Sequence, residues 1–405
     1  MSGLKQRWHL GLGRELGHVF WGMIFVEAAF GAYVGVWPLW IEALGAPVTV
    51  VGLVLGSAGI LRLLAIAPSA SLAERFGARR MIVAARIAAG LGMIGAAVAT
   101  HWTHLFVMVV GSAVGELAFP LALSHVVTHA GENRVRAFTL VFTVGPAVAF
   151  GLGPLIAGGL VAVWGIRAAF LFAAFCTALS ILFFAGIERG LNVGERQARR
   201  SSSYGEALAD ARVRRVLILH ATTVFALALG TSLVPTFLND VRGMAPSRVS
   251  ILYSVSAIGT VGFGLVVSRS SRLQGAPFAA VAIAVGAVAV ALLTLVRTEV
   301  TALVALAFVL RGGFFSAWGL FSAAMGVIAP ERHRARAFAT AEMLAGAAFS
   351  LAPMLAGLLY NVRPSLPLVV AAAIAGGLIP LLLRAQRATG RVATAVSPAR
   401  EVEAA

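Results

Sequence analysis

The chain has 405 residues, of which 60% are apolar and only 12% charged, and its formal net charge is +16. Soluble domains carry roughly 25% charged residues, so this composition excludes a water-covered globule and fits a surface that faces lipid. The basic excess lies in short loops, with no basic helix face and no interleaved aromatics, which excludes a nucleic-acid-binding protein.

Long apolar runs read as helices, because a lipid-embedded backbone must satisfy its own hydrogen bonds and no alternating barrel pattern is present. In chain order the predicted spans lie near 18–41, 47–69, 79–100, 104–127, 137–162, 167–187, 213–238, 248–268, 276–297, 300–322, 337–360 and 364–384. The expected organisation is a cytoplasmic segment 1–17, a six-helix bundle 18–187, a cytoplasmic linker 188–212, a second six-helix bundle 213–384 and a disordered tail 385–405. The amino end is polar and leads into a run too long for a cleavable signal, so none is expected.

Orientation follows from the placement of positive charge. Lys5, Arg7, Arg14, Arg75, Arg79, Arg80, Arg134, Arg136, the 189–215 cluster, Arg269, Arg272, Arg332, Arg334, Arg336 and the tail fall on one side. The other side holds only Arg167, Arg242, Arg248, Arg297 and Arg363. Both termini are therefore expected in the cytoplasm. Lys5 is the only lysine, an arginine bias associated with GC-rich bacteria, so a bacterial inner membrane is expected. Cys176 is the single cysteine and reads as a small apolar core residue, and no His/Cys/Asp/Glu ligand cluster is visible. No metal, cofactor or disulfide is expected, and nothing resembles a nucleotide loop or a catalytic triad, so an enzyme or a non-transporting receptor is a remote alternative.

The halves repeat. Arg134-Val135-Arg136-Ala137-Phe138 returns as Arg334-Ala335-Arg336-Ala337-Phe338, Gly153-Pro154 as Ala352-Pro353, and Ala46-Pro47 as Ala245-Pro246. Such parallel repeats are a transporter architecture with the site between them near the midplane.

Membrane-embedded charge marks the candidate site, since each such group costs at least about 2.5 kcal/mol on insertion scales. Glu27, Glu116 and Arg311 fall near the middle of spans 1, 4 and 10. Glu27 shares a helix face with Gly31, Val34 and Pro38, and Glu116 with Ser112 and Pro120; these small neighbours leave room for water or substrate. Arg311 shares a face with Phe315 and Trp318, a set suited to an anion carried on a flat or apolar body. The alternative is a structural ion pair, for example Glu116 with Arg311, with the aromatics as packing. Arg62 and Glu342 lie in the cytoplasmic third, Arg86 is read as a structural residue snorkelling to the surface, and His220 as lying at the water boundary.

The loop Leu72-Ala73-Glu74-Arg75-Phe76-Gly77-Ala78-Arg79-Arg80 resembles the G-x-L-A-D-R-x-G-R-R signature of the major facilitator superfamily. It departs at Ala70 for the leading Gly, at Glu74 for Asp and at Ala78 for a basic residue. It reads as a tight turn bearing Glu74, Arg75, Gly77 and Arg79, either a gate between helices or a positive-inside anchor. Gly145-Pro146 and Gly153-Pro154-Leu155-Ile156-Ala157-Gly158-Gly159 are similar to an element of exchangers in that superfamily. The stretch from Trp37-Pro38-Leu39-Trp40 to Gly45, with Arg62, is most similar to the phenylpropionate and sugar permease branches. The resemblance implies an all-α fold of twelve transmembrane helices in two pseudo-symmetric bundles, with spans 1, 4, 7 and 10 lining the cavity. It also implies a monomeric secondary active transporter working by alternating access. Proton coupling through Glu27 or Glu116 and a small organic anion as substrate are expected; proton-driven efflux of sugars or drugs is the alternative. Protons, a small molecule and the lipid bilayer are its expected partners.

Overall fold

A computed structural model describes residues 8–66, 69–130, 134–188, 210–329 and 334–402. The described residues are almost wholly helical, and twelve helices among them are long and apolar enough to cross a membrane. These are Arg14–Val34, Val48–Ala65, Ala78–Val98, Trp102–Val126, Arg136–Trp164, Arg167–Ala185, Ala211–Asp240, Pro246–Arg269, Pro277–Arg297, Thr301–Gly326, Arg336–Val362 and Leu366–Ala388. Each falls on a run expected from hydropathy. The linker expected at 188–212 lies largely outside the described residues. The last helix departs from expectation: it continues to Val402, where a disordered tail is expected from residue 385. The extension is rich in Ala and Arg, which are strong helix formers, and polarity alone does not stop a helix.

The described residues form two compact units. The first takes in those of Met1–Arg200 together with Ser232–Ala257 and Pro353–Pro364; the second takes in those of Ser201–Thr231, Ile258–Ala352 and Ser365–Ala405. Among the described residues, the boundaries between the units fall at the break after Thr231, within the helices Pro246–Arg269 and Arg334–Val362, and in the turn after Pro364.

In the first unit, α1 (Arg14–Val34) packs against α9 (Gly145–Trp164) and α10 (Arg167–Ala185). Next come α2 (Trp37–Ala43), α3 (Val48–Ile66) and the short α4 (Ser69–Phe76). The following α5 (Ala78–Val98) packs against α10 and α6 (Phe106–Gly115), and α6 in turn against α3. Glycine permits these contacts. A Cβ at Gly153 would stand 2.6 Å from the Ala28 carbonyl oxygen, and one at Gly31 2.9 Å from Pro154 Cδ. The space beside Gly31, expected to be open to substrate, is thus filled by α9. Between α8 (Arg134–Thr139) and α9 the chain makes a π-turn over Leu140–Val144, with the Gly145 N–H bonded to the Leu140 carbonyl. Pro146 follows and has no N–H of its own to give the ladder.

Several spans are interrupted at mid-course. Span 4 breaks between α6 and α7 (Ala118–His129), and span 7 between α11 (Ala211–Thr231) and α12 (Val234–Asp240). A comparable break after α1 at Gly35-Val36 leads into α2. After α13 (Pro246–Arg269), α14 (Ser271–Gln274) and α15 (Pro277–Arg297), span 10 breaks at Gly312 between α16 (Thr301–Arg311) and α17 (Gly313–Ile328). Pro38 and Pro235 sit in the first turn of α2 and α12, which explains why the preceding segments stop there. In the second unit α15 packs against α16, α17 and α19 (Leu366–Val402), and α11 against α17 and α19. The remaining helix, α18 (Arg334–Val362), contributes to both units.

Candidate functional site

The first unit gathers membrane-embedded charge from four spans. Arg62, on α3, places its Nε 3.4 Å from Oε2 of Glu116, which caps the end of α6 at the break in span 4. Both side chains remain accessible, at 38% and 45%, so this pair borders open space. Within the first unit, Glu116 takes Arg62 as its ion-pair partner. Arg62 belongs to the cluster although its place along the span left its role open.

Arg86 overturns a second expectation. It does not snorkel: it is only 7% exposed, and its Nε donates to Ser180 Oγ at 3.4 Å on α10. It interacts electrostatically with Glu116, Tyr33 and Glu27. Glu27, half-buried on α1, interacts with Glu116 and Arg86. Tyr33, one and a half turns further along α1, faces Ser112 on α6. A buried guanidinium needs a carboxylate and further acceptors to offset its lost hydration, and α1, α6 and α10 supply them. Arg86, Tyr33 and Ser180 are members that sequence reading missed. Two midplane carboxylates require cationic company, and that deficit was the available signal.

Arg311 lies in the second unit as the last residue of α16, immediately before the break at Gly312. Its guanidinium carbon lies 5.5 Å from the centre of the Phe308 ring, a cation–π contact. One turn further on, Phe315 is 42% exposed and meets Phe314 edge-on at 5.2 Å. Trp318 stacks on Phe349 of α18 with ring centres 5.3 Å apart. His220 is not at a water boundary: it is 3% exposed, with its ring edge-on to Trp318 at 5.8 Å and to Phe321 at 5.0 Å. Glu342 is exposed on α18.

The segment with the family signature is helical, not a simple turn. Leu72 to Phe76 complete α4, Gly77 turns the chain with φ of 84°, and α5 begins at Ala78. A positive φ suits glycine, which has no Cβ to clash. Arg79 donates to the carbonyl of Ala185, the last residue of α10, where the helix dipole favours a cation. Arg75 lies over the Phe76 ring at 5.2 Å. Glu74 is placed within α4; its side chain lies outside the described residues.

No curated protein shows a sequence match to this chain. Among solved structures, the nucleoside transporter NupG aligns with a TM-score of 0.71 at 15% identity, over 92% of this chain and 99% of its own. The human organic anion transporter MFSD10 (TETRAN) aligns with a TM-score of 0.65 at 16% identity, over 91% and 99%. A peptide transporter POT in complex with alafosfalin aligns with a TM-score of 0.74 at 13% identity, over 94% and 97%. At these identities the likeness is one of fold. The sequence model of the Major Facilitator Superfamily matches residues 19–328, which includes all the spans that build the charged cluster and most of the second half. With twelve helices among the described residues long and apolar enough to cross a membrane, and with the loop around Gly77, this chain belongs to the Major Facilitator Superfamily and is a transporter, not an enzyme.

Proposed function

We propose that this chain is a proton-coupled secondary active transporter of a small organic anion, working by alternating access. The observation that carries the reading is the balanced cluster of Glu27, Glu116, Arg62 and Arg86 inside one unit. Two carboxylates face two guanidiniums, so the cluster is formally neutral when all four are ionised. A proton taken up on Glu27 or Glu116 leaves one positive charge in excess. That excess attracts an anion, and an anion in turn favours retention of the proton. Proton and substrate binding are thus linked reciprocally. Accessibility supports this assignment, because Glu116 and Arg62 border open space from which a proton or anion reaches the half-buried Glu27.

Within the second unit, taken by itself, Arg311 offers a positive charge for an anionic head, and Phe315 and Trp318 an apolar surface for a flat body. MFSD10 is an organic anion transporter in name, which is consistent with this substrate class. The breaks at Glu116 and Gly312 place charged side chains where the helix ladder is interrupted and backbone groups can meet a ligand. Both termini are read as cytoplasmic and the membrane as a bacterial inner membrane, from the arginine distribution. The chain is read as a monomer, with Arg79 tying α5 to α10 on the cytoplasmic face as part of the gating element.

Uptake of aromatic and aliphatic acids into proteoliposomes, under an imposed pH gradient with the membrane potential clamped, tests the reading. Acid-driven accumulation is expected. If Glu27→Gln and Glu116→Gln both leave that accumulation intact, neither carboxylate carries the proton.

A further inference from the structure

Within the first unit, segments from the two sequence halves meet along a seam at the end remote from Gly77. Thr236 Oγ1 of α12 donates to Glu42 Oε1 of α2 at 2.7 Å. Tyr360 of α18 donates its hydroxyl to Asp240 Oδ2 of α12 at 3.2 Å. Ser250 Oγ donates to the Pro154 carbonyl at 2.9 Å, and Asn361 Nδ2 to Thr49 Oγ1. Alongside them Gly52 abuts the Pro353 carbonyl and Gly357, backbone against backbone.

Glu42 is the ionisable member whose carboxylate is wedged into this seam. It is half-buried, whereas its donor Thr236 is fully buried. Glu42 and Asp240 occupy similar places in the repeat, each near the end of a short helix with proline in its first turn. They lie close enough for the charge of Asp240 to act on Glu42. The other charged or titratable groups around α2 and α12 are few. Arg167 lies over Trp40 and donates to the Ala99 carbonyl, and Arg242 lies over Phe237. His101 and His104 occupy the turn that packs on α2, Tyr360 comes from α18, and α3 contributes no titratable residue before Arg62.

We propose that Glu42 is a proton-operated latch on this seam: protonated, it holds α2 against α12; ionised, it faces Asp240 as a second negative charge and the two helices part. The closed arrangement favours the protonated form. Burial, opposed by the Thr236 bond and assisted by Asp240, lifts the Glu42 carboxyl from 4.5 to about 7. When the seam opens, Glu42 meets water and returns toward the ordinary range. The sign follows: the contribution to closure is complete below pH 4.5 and is lost as pH rises through about 7. The latch is separate from the cluster of Glu27 and Glu116, and needs no substrate to operate.

The test is a distance measurement by pulsed electron resonance on the full chain in nanodiscs, without substrate. Spin labels go on Thr100→Cys and Val362→Cys, both exposed and on opposite sides of the seam, in a Cys176→Ser background. Between about pH 5 and about pH 9 the wild-type pair is expected to change from one short distance to a mixture with a longer one, with its midpoint near neutral. Glu42→Gln is expected to keep the short distance throughout, and Glu27→Gln to leave the transition in place. A wild-type distance that ignores pH overturns the proposal, as does a transition that persists unchanged in Glu42→Gln. Loss of the transition in Glu27→Gln with retention in Glu42→Gln assigns it to the coupling cluster and also overturns the latch. Failure of pH-driven uptake with an intact transition counts only against the transport reading.

Discussion

Arg62 and Glu116 meet across spans 2 and 4 at 3.4 Å, on helices whose contact is made in the first unit alone. Each is buried too little to be a silent staple and too deep in sequence to be an ordinary surface pair. Their accessibility is what separates them from Arg86, whose guanidinium is shut inside the same bundle. The cluster thus has an open side and a closed side, and its members should respond differently to substitution.

On the open side, Glu116→Gln and Glu27→Gln are expected to reduce pH-driven accumulation by roughly tenfold or more while sparing substrate exchange at equal pH, since exchange needs no net proton movement. Parallel assays of gradient-driven uptake and counterflow in proteoliposomes make the comparison. Equal loss in both assays assigns the carboxylates to binding or folding instead.

On the closed side, Arg86→Ala leaves Glu27 and Glu116 without a buried cation and Ser180 without its donor. A loss of about 3–5 kcal/mol in stability is expected, the usual cost of breaking one partner from a buried network. Arg86→Lys keeps the charge but not the planar fork, so it is expected to recover only part of that loss. Thermal unfolding in detergent, ranked wild type above Arg86→Lys above Arg86→Ala, checks the order.

For Arg311, replacement by Ala is expected to raise the KM for an anionic substrate by about tenfold to a hundredfold, the worth of one charge-assisted hydrogen bond of roughly 1.5–3 kcal/mol. A neutral substrate analogue lacking the anionic group should bind both proteins alike. Titration of the two ligands against both proteins reads this directly, and an equal loss for the two would remove Arg311 from the recognition of charge.

Close glycine contacts give a purely steric prediction. Gly259 of α13 abuts the Val309 carbonyl of α16 so tightly that an added Cβ overlaps it, and both residues belong to the second unit. Gly259→Ala is expected to cost about 1–3 kcal/mol, the range for overpacking. Gly262→Ala, one turn along the same helix with open space around it, is expected to be nearly neutral. A melting curve for each variant settles whether the backbone contact is retained in the membrane protein.

Much of this protein was legible in one dimension. The twelve hydrophobic runs had to become helices because lipid offers no hydrogen bonds to an exposed backbone, and so the spans and the family signature around Gly77 could be read from the chain. Glu27, Glu116 and Arg311 could be picked out for a similar reason: a charge in an apolar run is expensive wherever it lies. Pairing was different, since it depends on which faces turn together. Arg86 looked close enough to its helix end to reach water, yet α1, α6 and α10 enclose it; Gly31 looked like open room, yet Pro154 fills it. The partner of Glu116 and the seam at Glu42 likewise arose only in the tertiary structure, because an ion pair or hydrogen bond is fixed within a few tenths of an ångström by packing between segments as distant as Glu42 and Thr236. Composition and periodicity determine that a helix lies in the membrane; only the packing of one helix on another determines what its charges touch.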